Sequence, residues 1–421
     1  MKMQVKQIAK VFTGTTPPTN EQKYYESEDI NWYSPGDIVS DSISLKDSNK
    51  KISRLYFQEK NSWPFPQGAV LMVGIGATVG KVAYSDSVCW SNQQINVIVF
   101  DKKKILPKFG AYQLLNKSKE INKKTPVVTL QIFNQSKVRQ IELWLPSLET
   151  QHRIVTYLDT KLSEIDHQVS LLTSKRDAYL RLKKSIINHA VTRGLNPNVK
   201  MKDSGIEWIG EVPEHWEVKR MKDIAYLYSG LTGKSGDDFR CDNTNITKPY
   251  IPFTSILNNF KINSTDFPRV IMSDNETQNQ VKVNDLLFLM SSEDYDSIAK
   301  SAVVNENLGE VYLNSFCRGL RFTSKNTFAN FVNYQIQATN YRDALRFEAR
   351  GFTRINIKIE KISSMFVCLP SLPEQHAIAT YLDDKCAKID TIVSNLNKQI
   401  SRYADLKRSL IDEVIIGKRA V

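Results

Sequence analysis

One stretch of this 421-residue chain occurs twice in nearly identical form. LPSLETQHRIVTYLD begins at Leu145, and LPSLPEQHAIATYLD begins 224 positions later, at Leu369. Between residues 145–169 and 369–393, 15 of 25 aligned positions are identical. An internal repeat of this kind indicates a duplicated structural unit. The chain therefore consists of two related halves.

Both copies have the pattern of a long helix. Pro146 and Pro370 stand at the entry, where proline is tolerated, and not in the interior. Apolar residues then recur in steps of three and four over 154–190, interrupted at Arg176, and over 378–414. Such a repeat over about five heptads predicts coiled-coil packing. We expect the two copies to pair antiparallel, which gives the molecule an internal pseudo-two-fold symmetry with one globule at each end.

A region with mixed strand and helix signals precedes each copy. Strand-like runs occur at 70–73, 95–100, 141–145, 285–290 and 365–369, and helical patterns at 109–116 and 328–347. We predict an irregular α/β or α+β globule for each region. The predicted order is a globule at 1–144, a helix at 145–195, a linker with the second globule at 196–368, and a second helix at 369–421.

The balance of charge indicates a polyanionic partner. The net charge is +12, and residues 1–144 carry 20 Lys and Arg against 12 Asp and Glu. Residues 201–368 carry 20 against 21, so the second globule would need local clusters to hold nucleic acid. The sequence shows neither a signal peptide nor an apolar run long enough to span a membrane. The five cysteines (Cys89, Cys241, Cys317, Cys368 and Cys386) have no metal-binding spacing, and we expect reduced thiols in the cytoplasm.

The chain resembles the specificity subunit of Type I restriction–modification systems. The resemblance rests on the two Leu-Pro-Ser-Leu-x-x-Gln-x-x-Ile-x-x-Tyr-Leu-Asp stretches that open the helices. It also rests on SGIEWIGEVPEHWEVKRMKDIA at 204–225, GATVGKVA at 76–83, NQQ at 92–94 and GFTRINI at 351–357. The matching segments run in the same order along the whole chain. They are most specific in the helices and less so in the globules.

This resemblance implies a bacterial or archaeal cytoplasmic protein without catalytic chemistry of its own. Each globule would be a target recognition domain that reads one half of a split site in double-stranded DNA. The helices would set the gap between the halves and dock two copies of the modification (methyltransferase) subunit. That subunit would carry S-adenosylmethionine, and a restriction (translocase and nuclease) subunit would use ATP and Mg. This chain would bind no cofactor and no metal.

Candidate DNA contacts are side chains that suit base edges or phosphates. In the first globule they are Thr78, Lys81, Asn92, Gln93, Gln94 and, as an outside choice, Arg54. In the second they are Arg342, Arg346, Arg350, Thr353 and Arg354. Hydrogen bonds inside the globule are the alternative for 92–94. A solvated basic helix face is the alternative for Arg342, Arg346 and Arg350, which are four residues apart.

Repeated polar residues at the helix starts are candidates for docking the partner subunits. They are Gln151, His152 and Tyr157 in the first copy and Gln375, His376 and Tyr381 in the second, with helix capping as the alternative. Two other functions compete with DNA recognition. One is a self-sufficient DNA-modifying enzyme, although the chain lacks the Asn/Asp-Pro-Pro-Tyr/Phe motif of adenine methyltransferases and a complete P-loop. The other is a coiled-coil adaptor that binds only proteins.

Overall fold

A computed structural model describes residues 1–27, 29–45, 47–123, 132–239, 247–263, 266–273 and 275–421. The chain forms two compact units. Unit 1 comprises Met1–Thr173 and Asn397–Val421, and unit 2 comprises Ser174–Leu396. Each long helix is thus divided between the units. The domain boundaries at 144/145, 195/196 and 368/369 follow sequence organisation and stay a prediction.

Unit 1 contains nine strands and four helices among its described residues, together with the first part of a long fifth helix. The strands are β1 (Lys2–Gln4), β2 (Ala9–Thr13), β3 (Ile30–Tyr33), β4 (Lys51–Ile52), β5 (Val70–Val73), β6 (Val82–Tyr84), β7 (Cys89–Ser91), β8 (Ile95–Phe100) and β9 (Glu142–Trp144). The helices are α1 (Val5–Ile8), α2 (Arg54–Glu59), α3 (Pro107–Lys123), α4 (Gln135–Arg139) and the long α5 (Leu148–Arg193). The main sheet has the order β2-β8-β5-β6, and a smaller sheet has the order β4-β3-β7.

Unit 2 repeats this plan with additions. Its strands are β10 (Met201–Asp203), β11 (Glu211–Pro213), β12 (Glu217–Arg220), β13 (Ala225–Ser229), β14 (Thr247–Ile251), β15 (Lys261–Ile262), β16 (Arg269–Ile271), β17 (Leu286–Leu289), β18 (Ser291–Ser292), β19 (Ser301–Val304), β20 (Tyr312–Leu313), β21 (Cys317–Phe322), β22 (Ile355–Asn356) and β23 (Phe366–Leu369). Its helices are α6 (Met221–Ile224), α7 (Phe253–Asn258), α8 (Ala329–Gln337), α9 (Thr339–Glu348), α10 (Ile359–Ser363) and the long α11 (Leu372–Ile415).

The main sheets of the two units correspond strand by strand. The order β13-β21-β17-β19-β15 in unit 2 matches β2-β8-β5-β6 with one strand added. The pairs β3–β7 and β14–β20 are both parallel. An edge pair also recurs, since β1 pairs with β9 and β12 pairs with β23. The predicted mixed helix and strand class is confirmed.

Burial of the central strands on both faces explains their continuous apolar sequences. In β5, Val70 and Met72 belong to one core cluster and Leu71 and Val73 to another. The strand β17 repeats this alternation between two clusters. Successive side chains of a strand point to opposite faces, so a strand covered on both sides must be apolar throughout.

The long helices pack against each other within each unit. In unit 1 the early turns of α5 share a core with the last turns of α11, and Lys407 Nζ lies 2.6 Å from Asp166 Oδ1. In unit 2 the last turns of α5 share a core with the early turns of α11, and Lys183 Nζ lies 2.6 Å from Asp390 Oδ1. The two ion pairs occupy equivalent places in the repeat. The antiparallel arrangement predicted from the repeat is confirmed.

An aspartate of each repeat anchors its helix to the globule before it. Asp159 accepts hydrogen bonds from Tyr112 Oη at 2.7 Å and Lys108 Nζ at 2.8 Å. Asp383, its equivalent, accepts from Tyr334 Oη at 2.7 Å and from a lysine of β15. The pKa of both tyrosines lies above the usual range, mainly because the phenols are buried and secondly because each is bonded to its aspartate. The phenols therefore remain donors at neutral pH.

Candidate nucleic-acid interface

In unit 1 the glycine-containing segment forms the turn between antiparallel strands β5 and β6. Gly76 and Gly80 have φ of +98° and +88°, which glycine adopts without a steric penalty. The predicted contact Thr78 is half-buried in this turn. Lys81 donates through Nζ to the carbonyl of Ile38 at 3.2 Å, so in this conformation its charge is held against the globule.

The predicted residues at 92–94 divide into one internal residue and two at the surface. Asn92 is 8% exposed and bonds to Gln94 twice, at 3.0 Å each, from Nδ2 to Oε1 and from the Gln94 amide to Oδ1. The side chain of Asn92 therefore builds the turn, and its contact with a base stays a prediction. Gln93 is exposed, and Gln94 is half-buried. Both line a cavity of about 370 Å³. Arg54, exposed at the start of α2, is not among the lining residues.

In unit 2 the predicted arginine face of α9 is partly internal. Arg342 is 7% exposed and donates through Nη2 to the carbonyls of Ile298 (2.6 Å) and Asp296 (3.0 Å). The pKa of Arg342 is lowered to about 10, mainly by burial and secondly by the positive charge of Arg346. Arg346 is half-buried and pairs with Asp296 at 2.7 Å and Asp343 at 2.9 Å. The Nη2 donors of Arg342 serve the protein interior, and its contact with DNA stays a prediction. Arg346 already has two acidic partners.

The other predicted residues of unit 2 share one exposed turn. Arg350 lies beyond the end of α9, so it does not extend that helix face, and it forms a backbone bridge with Asn356. Gly351 has a φ of +141°, and a Cβ there would lie 2.0 Å from the carbonyl oxygen of Arg354. Thr353 and Arg354 are exposed in the same turn. The Arg354 guanidinium lies 4.9 Å from the ring centre of Phe316, a cation–π contact.

Sequence reasoning missed two aromatic residues near this turn. Phe352 is fully exposed, and Phe316 is about half exposed. A detectable signal existed for Phe316, because Asn314 matches Asn92 in the first copy. The Asn314 Oδ1 accepts from the Phe316 amide at 3.0 Å, as Asn92 does from the Gln94 amide. The asparagine marks the same turn in both globules.

The repeated glutamines at the helix starts are internal. Gln151 and Gln375 are fully buried. Gln375 Oε1 accepts from the Phe328 amide at 2.8 Å, and its Nε2 donates to the carbonyls of Asn326 and Pro370, both at 2.9 Å. Gln151 makes the equivalent three bonds. Each glutamine thus ties its helix to its own globule, and a role in partner contact stays a prediction.

The remaining predicted docking residues are exposed or half-buried. His152 and His376 are exposed, and the His376 ring stacks on Phe328 with 3.9 Å between ring centres. Tyr157 is half-buried, and Tyr381 is exposed. Their role in docking stays a prediction.

The described residues show little sign of reactive or metal chemistry. No group of three or more His, Cys, Asp or Glu residues among them could hold a metal ion. Four cysteines are buried and free, and burial raises the pKa of Cys89 and of Cys368 to about 11, which makes them poor nucleophiles. The predicted thiol Cys241 lies outside the described residues.

No helix in the described ranges is both long and apolar enough to cross a membrane.

Comparison with known proteins identifies the family. Residues 1–171 and 213–402 match the Type I restriction modification DNA specificity domain. The chain is 23% identical to the Type I restriction enzyme MjaIX specificity subunit of Methanocaldococcus jannaschii, over 99% of this chain and 93% of that protein. It is 21% identical to the EcoBI specificity subunit of Escherichia coli, over 89% of this chain and 79% of that protein.

Solved structures share the fold. A chain in a structure on complex assembly and conformational transition of the type I R-M system superposes with a TM-score of 0.70 at 13% identity, covering 99% of this chain and 97% of that chain. The HsdS subunit from Thermoanaerobacter tengcongensis gives a TM-score of 0.51 at 15% identity, covering 100% and 97%. With a family match in both halves, the chain belongs to the family of Type I restriction–modification DNA specificity proteins.

Proposed function

We propose that this chain is the DNA sequence-recognition subunit of a Type I restriction–modification enzyme and that it binds a bipartite site. One observation carries the proposal. The same globule and helix occur twice, while the side chains that line corresponding cavities differ. Two copies of one DNA-binding globule, with different side chains on their surfaces, suit two half-sites of different sequence. The antiparallel helices suit a fixed gap between the halves.

Charge distribution supports a nucleic-acid partner. The excess of Lys and Arg lies in the first globule, where many side chains are exposed, and the second globule adds the turn with Arg350 and Arg354. Neutralisation of phosphates by such residues releases counterions, so affinity falls steeply with salt.

We further propose that the exposed repeat residues hold two copies of the modification subunit. His152 and Tyr157 of α5 have identical equivalents in His376 and Tyr381 of α11. Two equal surfaces suit two equal partners. In this proposal the chain is non-catalytic and cytoplasmic. The methyl donor S-adenosylmethionine belongs to the modification subunit, and ATP and Mg to the restriction subunit.

Selection from a random duplex library tests the proposal. The chain, purified with the modification subunit of the same host, is mixed with the library, and bound duplexes are sequenced. We expect two short motifs separated by a fixed run of unspecified bases, with half-sites about one helical turn apart, roughly 34 Å. Enrichment of no motif, or of a single continuous motif, would contradict the proposal.

Two assays separate the competing functions. The chain alone is incubated with labelled S-adenosylmethionine and DNA, and separately with Mg²⁺ and plasmid. Methyl transfer or cleavage by the isolated chain would indicate a self-sufficient enzyme. A complex that leaves genomic fragments unshifted at low salt would indicate a protein-binding adaptor.

A further inference from the structure

A cavity of the same size lies at the same place in each unit. It measures about 370 Å³ in unit 1 and about 370 Å³ in unit 2. In both, one wall is the residue that follows the central strand, Gly74 after β5 and Met290 after β17. The second wall is the turn into β8 or β21, and the third is the segment that enters the short helix α4 or α10.

The backbone frame of the two cavities is the same. Two backbone hydrogen bonds connect the walls of each cavity. In unit 1, Gly74 N donates to Gln94 O (2.8 Å) and Phe133 N donates to Gly74 O (2.7 Å). In unit 2, Met290 N donates to Phe316 O (3.2 Å) and Ile357 N donates to Met290 O (3.1 Å). The bridge between residues 75 and 132 corresponds to the pairing of 291 with 356. The cavities are therefore one structural feature present twice.

The side chains that line this common frame differ in chemistry. Every residue lining the unit 1 cavity is uncharged, and carboxamides predominate: Gln93, Gln94, Asn96, Asn134 and Gln135. The lining of the unit 2 cavity includes Phe316, Arg318, Lys358 and Glu360. At corresponding positions, Phe316 replaces Gln94 and Arg318 replaces Asn96.

A constant frame with variable lining suits base reading better than phosphate binding. Phosphates are chemically identical in both half-sites, so two phosphate sites would be expected to share basic residues. The unit 1 cavity has none. Base edges differ between half-sites, and Asn, Gln and Arg are the side chains that distinguish them through paired hydrogen bonds.

We propose that these two cavities are the base-reading sites of the chain, with adenine at the carboxamide cavity of unit 1 and guanine at the arginine cavity of unit 2. Carboxamides match the N6 donor and N7 acceptor of adenine, and arginine matches the O6 and N7 acceptors of guanine. Gln94 Oε1 accepts from Asn92 Nδ2, which orients the carboxamide and leaves a second Oε1 lone pair for adenine N6 and the Nε2 donor for adenine N7. Asn96 is buried, and its Nδ2 donates to the carbonyl of Phe133 at 2.7 Å, so it supports the cavity wall.

The guanidinium in unit 2 is similarly held in place. Arg318 Nη1 donates to the carbonyls of Ser315 at 3.2 Å and Cys317 at 2.9 Å. Phe316 beside it is covered by Arg354. A side chain fixed by its own turn loses less freedom on binding and discriminates more sharply.

This inference rests on the proposed function, and the experiment keeps the two apart. Chain and modification subunit are purified together, and methylation rates are measured on the selected duplex and on duplexes with each base pair of the two half-sites replaced in turn. The wild type, Gln94→Ala, Arg318→Ala and Arg318→Asn are compared. Lys282→Ala removes one exposed charge of unit 2 outside the cavity and serves as the control.

We expect each variant to lose discrimination at one position of one half-site by about tenfold. Gln94→Ala should relax an adenine position, and Arg318→Ala a guanine position in the other half. Arg318→Asn should shift preference at that position toward adenine, which a folding defect could not produce. Unchanged discrimination in the Gln94→Ala and Arg318→Ala variants overturns the inference, as does a uniform loss of affinity with an unchanged motif. A wild type without a split motif overturns the proposed function itself.

Discussion

Replacing a buried glutamine at a helix start should destabilise one unit locally and strongly. Gln375→Ala removes three hydrogen bonds, two that join the start of α11 to the segment before α8 and one to the carbonyl of Pro370, just before α11. At about 1 kcal/mol of net stability per bond, the loss is about 3 kcal/mol. The substitution leaves the backbone amide of Phe328 without the acceptor that Gln375 supplies, and it leaves two carbonyls without their donor. Because Gln151 makes the same three bonds in unit 1, Gln151→Ala should lose a similar amount there.

Hydrogen exchange read by mass spectrometry measures this effect where it occurs. A loss of about 3 kcal/mol corresponds to roughly 100-fold faster exchange for amides that open locally. For Gln375→Ala we expect this in the peptide that contains Phe328, and for Gln151→Ala in the peptide that contains Leu106. Arg153→Ala, an exposed neighbour on α5, is the control and should change nothing. Exchange in these two peptides within a factor of three of wild type would refute the anchoring role.

Four further outcomes follow from the structure. Asp285→Ala should cost about 3–5 kcal/mol in urea unfolding, because it leaves Arg321 without its buried acid; a loss below 1 kcal/mol would contradict this. Arg342→Ala should lower stability but not the DNA affinity of the folded protein, and reduced affinity at unchanged stability would contradict the interior role. A double-mutant cycle of Lys407 and Asp166 should give less than about 1 kcal/mol, since the aspartate is half exposed; a larger coupling would contradict a surface pair. Inserting a heptad into α5 should change the gap between half-sites and leave their sequences intact; an unchanged gap would show that the helices do not set it.

The repeat and its periodicity were sufficient to predict the architecture. Apolar steps of three and four indicate a helix, and a second copy of the same stripe supplies its partner. The strands at 70–73 and 95–100 were predictable because burial on both faces demands unbroken apolar runs. Strands of two residues, such as β15 and β18, leave no such signal. Their pairing depends on contacts with residues distant in sequence.

The predicted site residues that lie inside the protein have a common physical explanation. Spacing shows that Arg342 and Arg346 share a helix face, but it does not show whether that face points outward. Arginine can be buried when carbonyls receive its donors, as those of Asp296 and Ile298 do. Identity between repeats is similarly ambiguous. It can reflect a shared partner surface, or a shared internal contact such as that made by Gln151.

The two cavities show which features of a candidate DNA-recognition site can be predicted from one sequence. The turn at 92–94 was identifiable as polar, and the structure separates its supporting asparagine from two glutamines at a cavity. Its counterpart in unit 2 has the same supporting asparagine, Asn314, but the lining side chains Phe316 and Arg318 were not identifiable from residue type, because the side chains differ where the frames agree. If the lining reads bases, this difference is expected.

Mapping methylated adenines in genomic DNA shows directly whether this chain directs methylation to a split site. The chain is expressed with the modification subunit of its host in cells that lack other adenine methylation, and the genome is sequenced by a single-molecule method that detects the modified base. We expect one motif made of two specific halves at a constant separation, with methylated adenine in each half. Methylation at a continuous motif, at scattered sites, or nowhere in the genome would contradict it.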